Sequence, residues 1–213
     1  MPTIEDAQSW YPQNDHVHGF DHVLRVYYMA ERISLAENAD TEIVHAAALL
    51  HDAQASETAG GDEGRMDHHH ASAKFARKVL ISEGWSESRI QEVLHCIRAH
   101  RFRDKSELPQ TIEAKVLFDA DKLDAIGAIG VARALSYSVV EGLPFYAEPS
   151  DFFLQTGETE PGEPHTAYHE HLFKLSKIKA LLYTKTAQAI AERRHQVMDA
   201  FFTQLAAEFQ AEK

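Results

Sequence analysis

The chain has 213 residues, 44% of them hydrophobic and 25% charged, with 21 Lys+Arg against 33 Asp+Glu and a formal net charge of −12. That length suits one hydrophobic core, and the charge argues against a duplex nucleic-acid groove or an anionic membrane surface as partner. Small phosphorylated ligands remain, given a local cation such as a metal ion. The single cysteine, Cys96, excludes an intramolecular disulfide and a Cys-rich zinc site, whereas 14 histidines are many for this length. Met1 to Trp10 shows no basic region followed by an apolar one, and no stretch is long enough to span a bilayer, so a reducing cytoplasm is expected.

From Phe20 to Glu37, Val26, Met29 and Ile33 recur at helical spacing, and His22 lies on the same stripe, pointing inward. Asp40 or Thr41 can cap the next helix, in which Ile43, Ala47, Leu50 and His51 share one face. That helix ends in the pair His51-Asp52. Two ionisable side chains in so apolar a context need a partner or a metal, because burying them alone is costly. Gln54 to Asp67, with Gly60, Gly61 and Gly64, reads as a loop that could serve as a lid.

A third helix carries His69, Ala73, Ala76 and Leu80 inward and stops near Gly84; His68 and His70 suit a solvated start. Ser88 with Gln91 makes a capping-box signature for a fourth, in which Ile90, Val93, Ile97 and His100 continue one face. The fifth is expected from near Thr111, with Leu117, Asp121, Asp124 and Ala128 on one side. Ala125, Gly127, Ala128 and Gly130 would admit a close helix neighbour. Gly142 to His165, with four prolines, reads as a second long loop. Two helices close the chain: Tyr168 to Tyr183, with Leu172, Leu175 and Leu182 inward, and Thr184 to Phe209, with Ala187, Ala191, Met198, Phe201 and Leu205 inward. The expected fold is all-α, a single domain over 1–213 with a core at about 15–140 and C-terminal helices at about 167–210 packed on it.

Inward histidines on separate helices, with Asp121 and Asp124, form a nitrogen and oxygen donor set. It suits Mn²⁺, Fe²⁺, Co²⁺, Ni²⁺ or Zn²⁺ better than Ca²⁺.

These residues resemble the HD-domain superfamily of metal-dependent phosphohydrolases, whose signature is a His, a later His-Asp pair and a C-terminal Asp. The resemblance rests on His22 in His18-Gly19-Phe20-Asp21-His22-Val23-Leu24-Arg25-Val26, on Leu49-Leu50-His51-Asp52, and on Asp119-Ala120-Asp121-Lys122-Leu123-Asp124-Ala125. It also takes in His69 with Ser72-Ala73, Ile97-Arg98-Ala99-His100, and the lysine-rich stretch around Lys174 and Lys177. It implies a helical fold with His22, His51, Asp52 and Asp121 as metal ligands, and with His69 and His100 as phosphate contacts or ligands of a second metal. The subgroup most resembled, bacterial nucleoside triphosphate pyrophosphohydrolases, implies Mn²⁺, with Fe, Co, Ni, Mg or Zn as other fits. Ala55 and Ser56 stand where guanosine tetraphosphate hydrolases have an acidic pair, and the Gly-Tyr-Pro motif of cyclic-dinucleotide phosphodiesterases is missing.

On this reading Asp121 ligates and Asp124 accepts a hydrogen bond that holds a ligand His or a Lys, against the plainer alternative of a structural salt bridge. Lys122, Arg25, Lys174 and Lys177 are candidate phosphate contacts, and His18 a candidate donor to substrate. The expected reaction converts a nucleoside triphosphate to monophosphate and pyrophosphate. Its alternatives are a nucleotide monophosphatase or phosphodiesterase, a di-iron oxygenase, and a non-catalytic metal- or nucleotide-binding module. A homodimer is an open expectation, while duplex nucleic acid and membrane are not expected partners.

Overall fold

The computed structural model describes residues 1–11, 19–54, 68–101 and 107–211, and the structural statements concern these. The chain is all-α, with no strand among them. It divides into two compact units: Met1–Asp121 with Tyr183–Ala187, and Lys122–Leu182 with Gln188–Lys213. No single helix in the described residues is long and apolar enough to cross a membrane.

The first unit is built around α3 (Thr41–Leu50), on which α1 (Ile4–Gln8), α2 (Phe20–Glu37), α4 (His68–Ser82) and α5 (Glu87–Ala99) all pack. Contact on so many sides explains its composition: Ala46, Ala47 and Ala48 are fully buried and small, so neighbouring helices approach closely. Asp40 begins it, its carboxylate accepting from the Glu42 and Ile43 N–H groups at 3.0 and 3.2 Å. The α2 boundaries match the periodicity, and its stop is Asn38 in the left-handed region (φ 56°). Gly84 (φ +75°) ends the run after α4, its N–H reaching Ile81 O and that of Trp85 reaching Leu80 O, both at 3.0 Å. The short α1 has no apolar periodicity to announce it; a capping box between Thr3 and Asp6 holds it.

Two expectations change here. The Ser88/Gln91 capping box is not formed: α5 starts at Glu87 behind Ser86, and Gln91 donates to Glu87 instead. The fifth expected helix ends as α6 (Ile112–Leu123), short of Asp124 and Ala128. Ile126 is extended and Gly127 has φ +76°, which turns the chain into a new helix, α7 (Gly127–Val140). The loop reading for Ala55 to Asp67 lies outside the described residues.

Within the first unit Asp119 ties α6 to the later segment. Fully buried, it accepts from the Tyr183 and Thr184 N–H groups and from Thr184 Oγ at 2.9, 2.7 and 2.7 Å. Desolvation raises its carboxyl pKa despite these bonds. Thr184 Oγ in turn accepts from the Ala187 N–H at 3.2 Å, capping α10 (Lys185–Phe209).

In the second unit Gly127 answers the expected close approach: a Cβ there would lie 3.0 Å from Arg194 Cβ on α10. The expected loop 142–165 contains a helix, α8 (Asp151–Thr156), started by Ser150, whose Oγ accepts from Phe153 N–H at 3.0 Å. The single helix expected from Tyr168 to Tyr183 is two elements, α9 (Ala167–Phe173) and a 3₁₀ turn (Leu175–Leu181), broken where Lys174 leaves helical geometry (φ −122°, ψ −53°). On α10 the inward residues are Ala187, Ala191, Met198 and Phe202; Phe201 is 37% exposed. The stripe advances four, seven and four residues, so it reaches position 202 and not 201.

Glu163 organises the segment before α9. Its carboxylate accepts from the Ser150 and Glu160 N–H groups, both at 2.7 Å, from Ser150 Oγ at 2.8 Å, and meets His169 Nε2 at 3.1 Å. These bonds, the Ser150 N–H first, hold its carboxyl pKa down at about 2. A depressed folded-state pKa contributes stability above the ordinary value of 4.5 that is lost as pH falls toward 2. Glu163→Gln should therefore unfold at lower denaturant concentration than wild type near pH 7, with the gap narrowing below pH 4.5; a gap independent of pH between 7 and 3 would contradict this. Asp119→Ala leaves buried donors unsatisfied and should cost about 3 kcal/mol in urea unfolding. A loss under about 1 kcal/mol would show that these bonds contribute little.

Candidate metal centre

The site is assembled in the first unit at the ends and starts of its helices. His22 lies in the first turn of α2, His51 is the residue at which α3 ends, and His100 occupies the same position on α5. All three are buried, at 1%, 0% and 3% exposure, and Asp52 is 7% exposed. One ligand atom each from His22, His51 and Asp52 fall within 4.8 Å of one another.

Neighbouring contacts widen the cluster. His22 Nε2 lies 3.5 Å from Asp121 Oδ1, His51 Nε2 lies 3.5 Å from Asp52 Oδ2, and His100 Nε2 lies 3.6 Å from Asp52 Oδ1. The His51 ring meets those of His22 and His100 edge-on, with centroids 5.6 and 5.2 Å apart. Asp52 thus presents one oxygen to each of two imidazoles.

The backbone sets which nitrogen of each ring faces the cluster. His51 Nδ1 is 2.8 Å from the Ala48 carbonyl and His100 Nδ1 is 2.5 Å from the Ile97 carbonyl. A carbonyl only accepts, so both Nδ1 atoms carry hydrogen, and the Nε2 atom of each ring faces Asp52. Burial lowers the His51 pKa to about 4, with the nearby Asp52 charge opposing, so the ring is neutral at pH 7. Its Nε2 is buried and has no hydrogen-bond partner among the described residues. A neutral, orphaned imidazole nitrogen beside a second imidazole and a carboxylate fits a borderline divalent ion; for a purely structural histidine it would be an unexplained cost.

His69 is fully buried on α4, its ring 4.1 Å from that of His70. Three residues on, Ser72 Oγ accepts from Gln54 N–H at 3.2 Å, linking α4 to the turn that carries His51 and Asp52. Arg25, on α2, is held by Asp21 at 2.6 Å. His18 lies outside the described residues. Lys122, Asp124, Lys174 and Lys177 belong to the second unit. There Asp124 is buried and pairs with Arg133 at 2.8 Å, Lys174 pairs with Glu170 at 2.5 Å, and Lys177 Nζ sits 4.6 Å from the Phe173 ring centre.

One residue of the site escaped sequence reasoning. Tyr11 is buried and its hydroxyl donates to the Leu49 carbonyl at 2.9 Å. It stands in no periodic stripe, and no local signal marks it.

Comparison with known proteins agrees with this geometry. The sequence profile of the HD domain matches residues 19–126, which run from the start of α2 to the turn after α6. The chain is 34% identical over 191 residues to YpgQ of Bacillus subtilis, across 88% of this chain and 82% of that protein. The crystal structure of YpgQ in complex with ADP is similar with a TM-score of 0.73 at 30% identity, covering 97% of each chain. An HD-superfamily hydrolase from Bacillus thuringiensis gives a TM-score of 0.70 at 29% identity, covering 98% of this chain and 97% of that one. The chain belongs to the HD-domain family of metal-dependent phosphohydrolases.

Proposed function

We propose that the chain hydrolyses a nucleoside triphosphate to the monophosphate and pyrophosphate, using one Mn²⁺ or similar ion held by His22, His51, Asp52 and Asp121. The observation that carries the metal assignment is the orphaned, neutral Nε2 of His51 among His22 and Asp52. A divalent ion bound there would lower the pKa of a water and neutralise phosphoryl charge. The chain's own groups supply the rest. Asp121, the least buried member of the cluster with a side chain 15% exposed, would complete the ligand set on its more accessible side. His69 and His100 contribute donors to phosphoryl oxygens, offsetting charge that builds on the equatorial oxygens during transfer.

A nucleotide is favoured because the similar protein YpgQ has been crystallised with ADP. A polyphosphate is favoured by the net charge of −12, under which an anion gains nothing from the general field and must be held by local contacts. Each further phosphate adds such contacts. The acidic composition and the single, buried Cys96 suit the cytoplasm.

One observation favours a second reading: Asp52 directs Oδ2 to His51 and Oδ1 to His100, an arrangement that also suits a carboxylate bridging two ions. A dinuclear site would bring the oxygenase chemistry of paired irons into play. Metal content separates the two. His100→Ala should keep one bound ion per chain while turnover falls at least a hundredfold, the scale of a lost charge-stabilising donor. A wild type that binds two ions and a variant that binds one would favour the dinuclear reading.

His51→Ala and Asp52→Ala should each abolish both metal binding and hydrolysis, as measured by metal analysis and phosphate release. Full metal content in either variant would remove that residue from the ligand set. Chromatography of the products from a triphosphate should show monophosphate and pyrophosphate in equal amounts; diphosphate with orthophosphate would overturn the bond assignment.

A further inference from the structure

The turn that carries His51 and Asp52 is held from two remote points, and neither is a metal ligand. An α-helix ends with carbonyls that have no partner inside the helix. At the end of α3 three of these have identified donors: His51 Nδ1 on Ala48 O at 2.8 Å, the Tyr11 hydroxyl on Leu49 O at 2.9 Å, and Ala53 N–H on Leu50 O at 3.3 Å. The first and third come from the turn itself. The second comes from 38 residues earlier in the chain. Just beyond the turn, Gln54 N–H donates to Ser72 Oγ at 3.2 Å, from 18 residues later, and Ser72 is fully buried. The His51-Asp52 pair therefore sits between an anchor at Leu49 and an anchor at Gln54.

We propose that Tyr11 and Ser72 are positioning residues for the metal centre, clamping the His51-Asp52 turn so that the His51 and Asp52 side chains converge before any ion arrives. The inference rests on the reading of that pair as metal ligands. Tyr11 is suited to the task because its ring is locked in a cluster with Ala7, Val23, Leu49 and Ala53, with Phe20 5.9 Å away, so the hydroxyl has little freedom to leave Leu49. Tyr11, which follows α1, lies outside the residues matched by the family profile, so it adds to the site a support from beyond the matched span. Ser72 stands three residues after His69 on α4, so the second anchor also sets the His69-bearing helix against the same turn. Without the anchors the turn must be ordered by the ion itself, and that ordering cost appears as weaker binding.

The test uses the full chain and three variants: Tyr11→Phe, which keeps the ring and removes one hydroxyl, Ser72→Ala, and the double variant. Calorimetric titration of the metal-free proteins with Mn²⁺ gives the dissociation constant, and the visible absorption of the Co²⁺-loaded proteins reports ligand geometry. Each single variant should weaken Mn²⁺ binding about tenfold, the lower end of what loss of a supporting partner costs a metal site, and the double variant about a hundredfold. The Co²⁺ spectrum should change in each. Thermal unfolding of the metal-free proteins separates this from a packing effect: a lowered melting temperature with unchanged Mn²⁺ affinity and unchanged Co²⁺ spectrum would overturn the proposal. Absence of metal binding by the wild type would instead remove the ligand assignment on which it rests.

Discussion

An imidazole nitrogen with no hydrogen-bond partner among the described residues, buried at the end of the helix on which α1, α2, α4 and α5 all pack, is the constraint around which the first unit is arranged. Leaving a polar atom in that state costs on the order of 1–3 kcal/mol, and adding Asp52 beside it raises the cost of the metal-free protein further. Stability is a small difference between large terms, so a fold keeps such a feature only against a compensating use. The arrangement supplies one. The same helix end that strands His51 Nε2 commits its Nδ1 to a carbonyl, which leaves Nε2 facing Asp52. Donor placement and tautomer follow from one piece of backbone.

The surrounding helices are arranged to make that placement rigid. Alanines at 46, 47 and 48 let α2, α4 and α5 reach α3 closely, and each of those helices also contributes a histidine at or near one of its ends: His22, His69 and His100. A helix end is a favourable place for a ligand because its side chain can turn toward neighbouring elements while the helix body stays packed. Apolar contacts thus hold the scaffold, and the polar residues are confined to where the helix ends meet.

Much of this was legible in the sequence because periodicity and burial report the same thing. His22, His51, His69 and His100 each fall on an apolar stripe, and each is buried. The α2 boundaries, the Asp40 cap and the Gly84 stop were readable from local rules. What escaped has a common physical origin in contacts between segments distant in sequence. Asp119 is bonded to Tyr183 and Thr184, and Tyr11 to Leu49, neither of which a local window can register. The helix expected through Ala128 stops at Leu123, ahead of an extended Ile126 and a positive φ at Gly127 that the side-chain pattern does not announce. Asp124 lies past the end of α6 and pairs with Arg133, the structural salt bridge that stood as the alternative for it. The short helix α8 arose inside a proline-rich stretch because Ser150 caps it and Glu163 holds Ser150.

The central claim is that the side chains gathered at the end of α3 bind a divalent ion through nitrogen and oxygen directly. X-ray absorption of the Mn²⁺-loaded protein tests it without reference to turnover or to any variant. The account predicts a first shell that mixes nitrogen and oxygen, with the outer-ring scattering of two imidazoles, His22 and His51. A first shell of oxygen alone, with no imidazole signature, would contradict it.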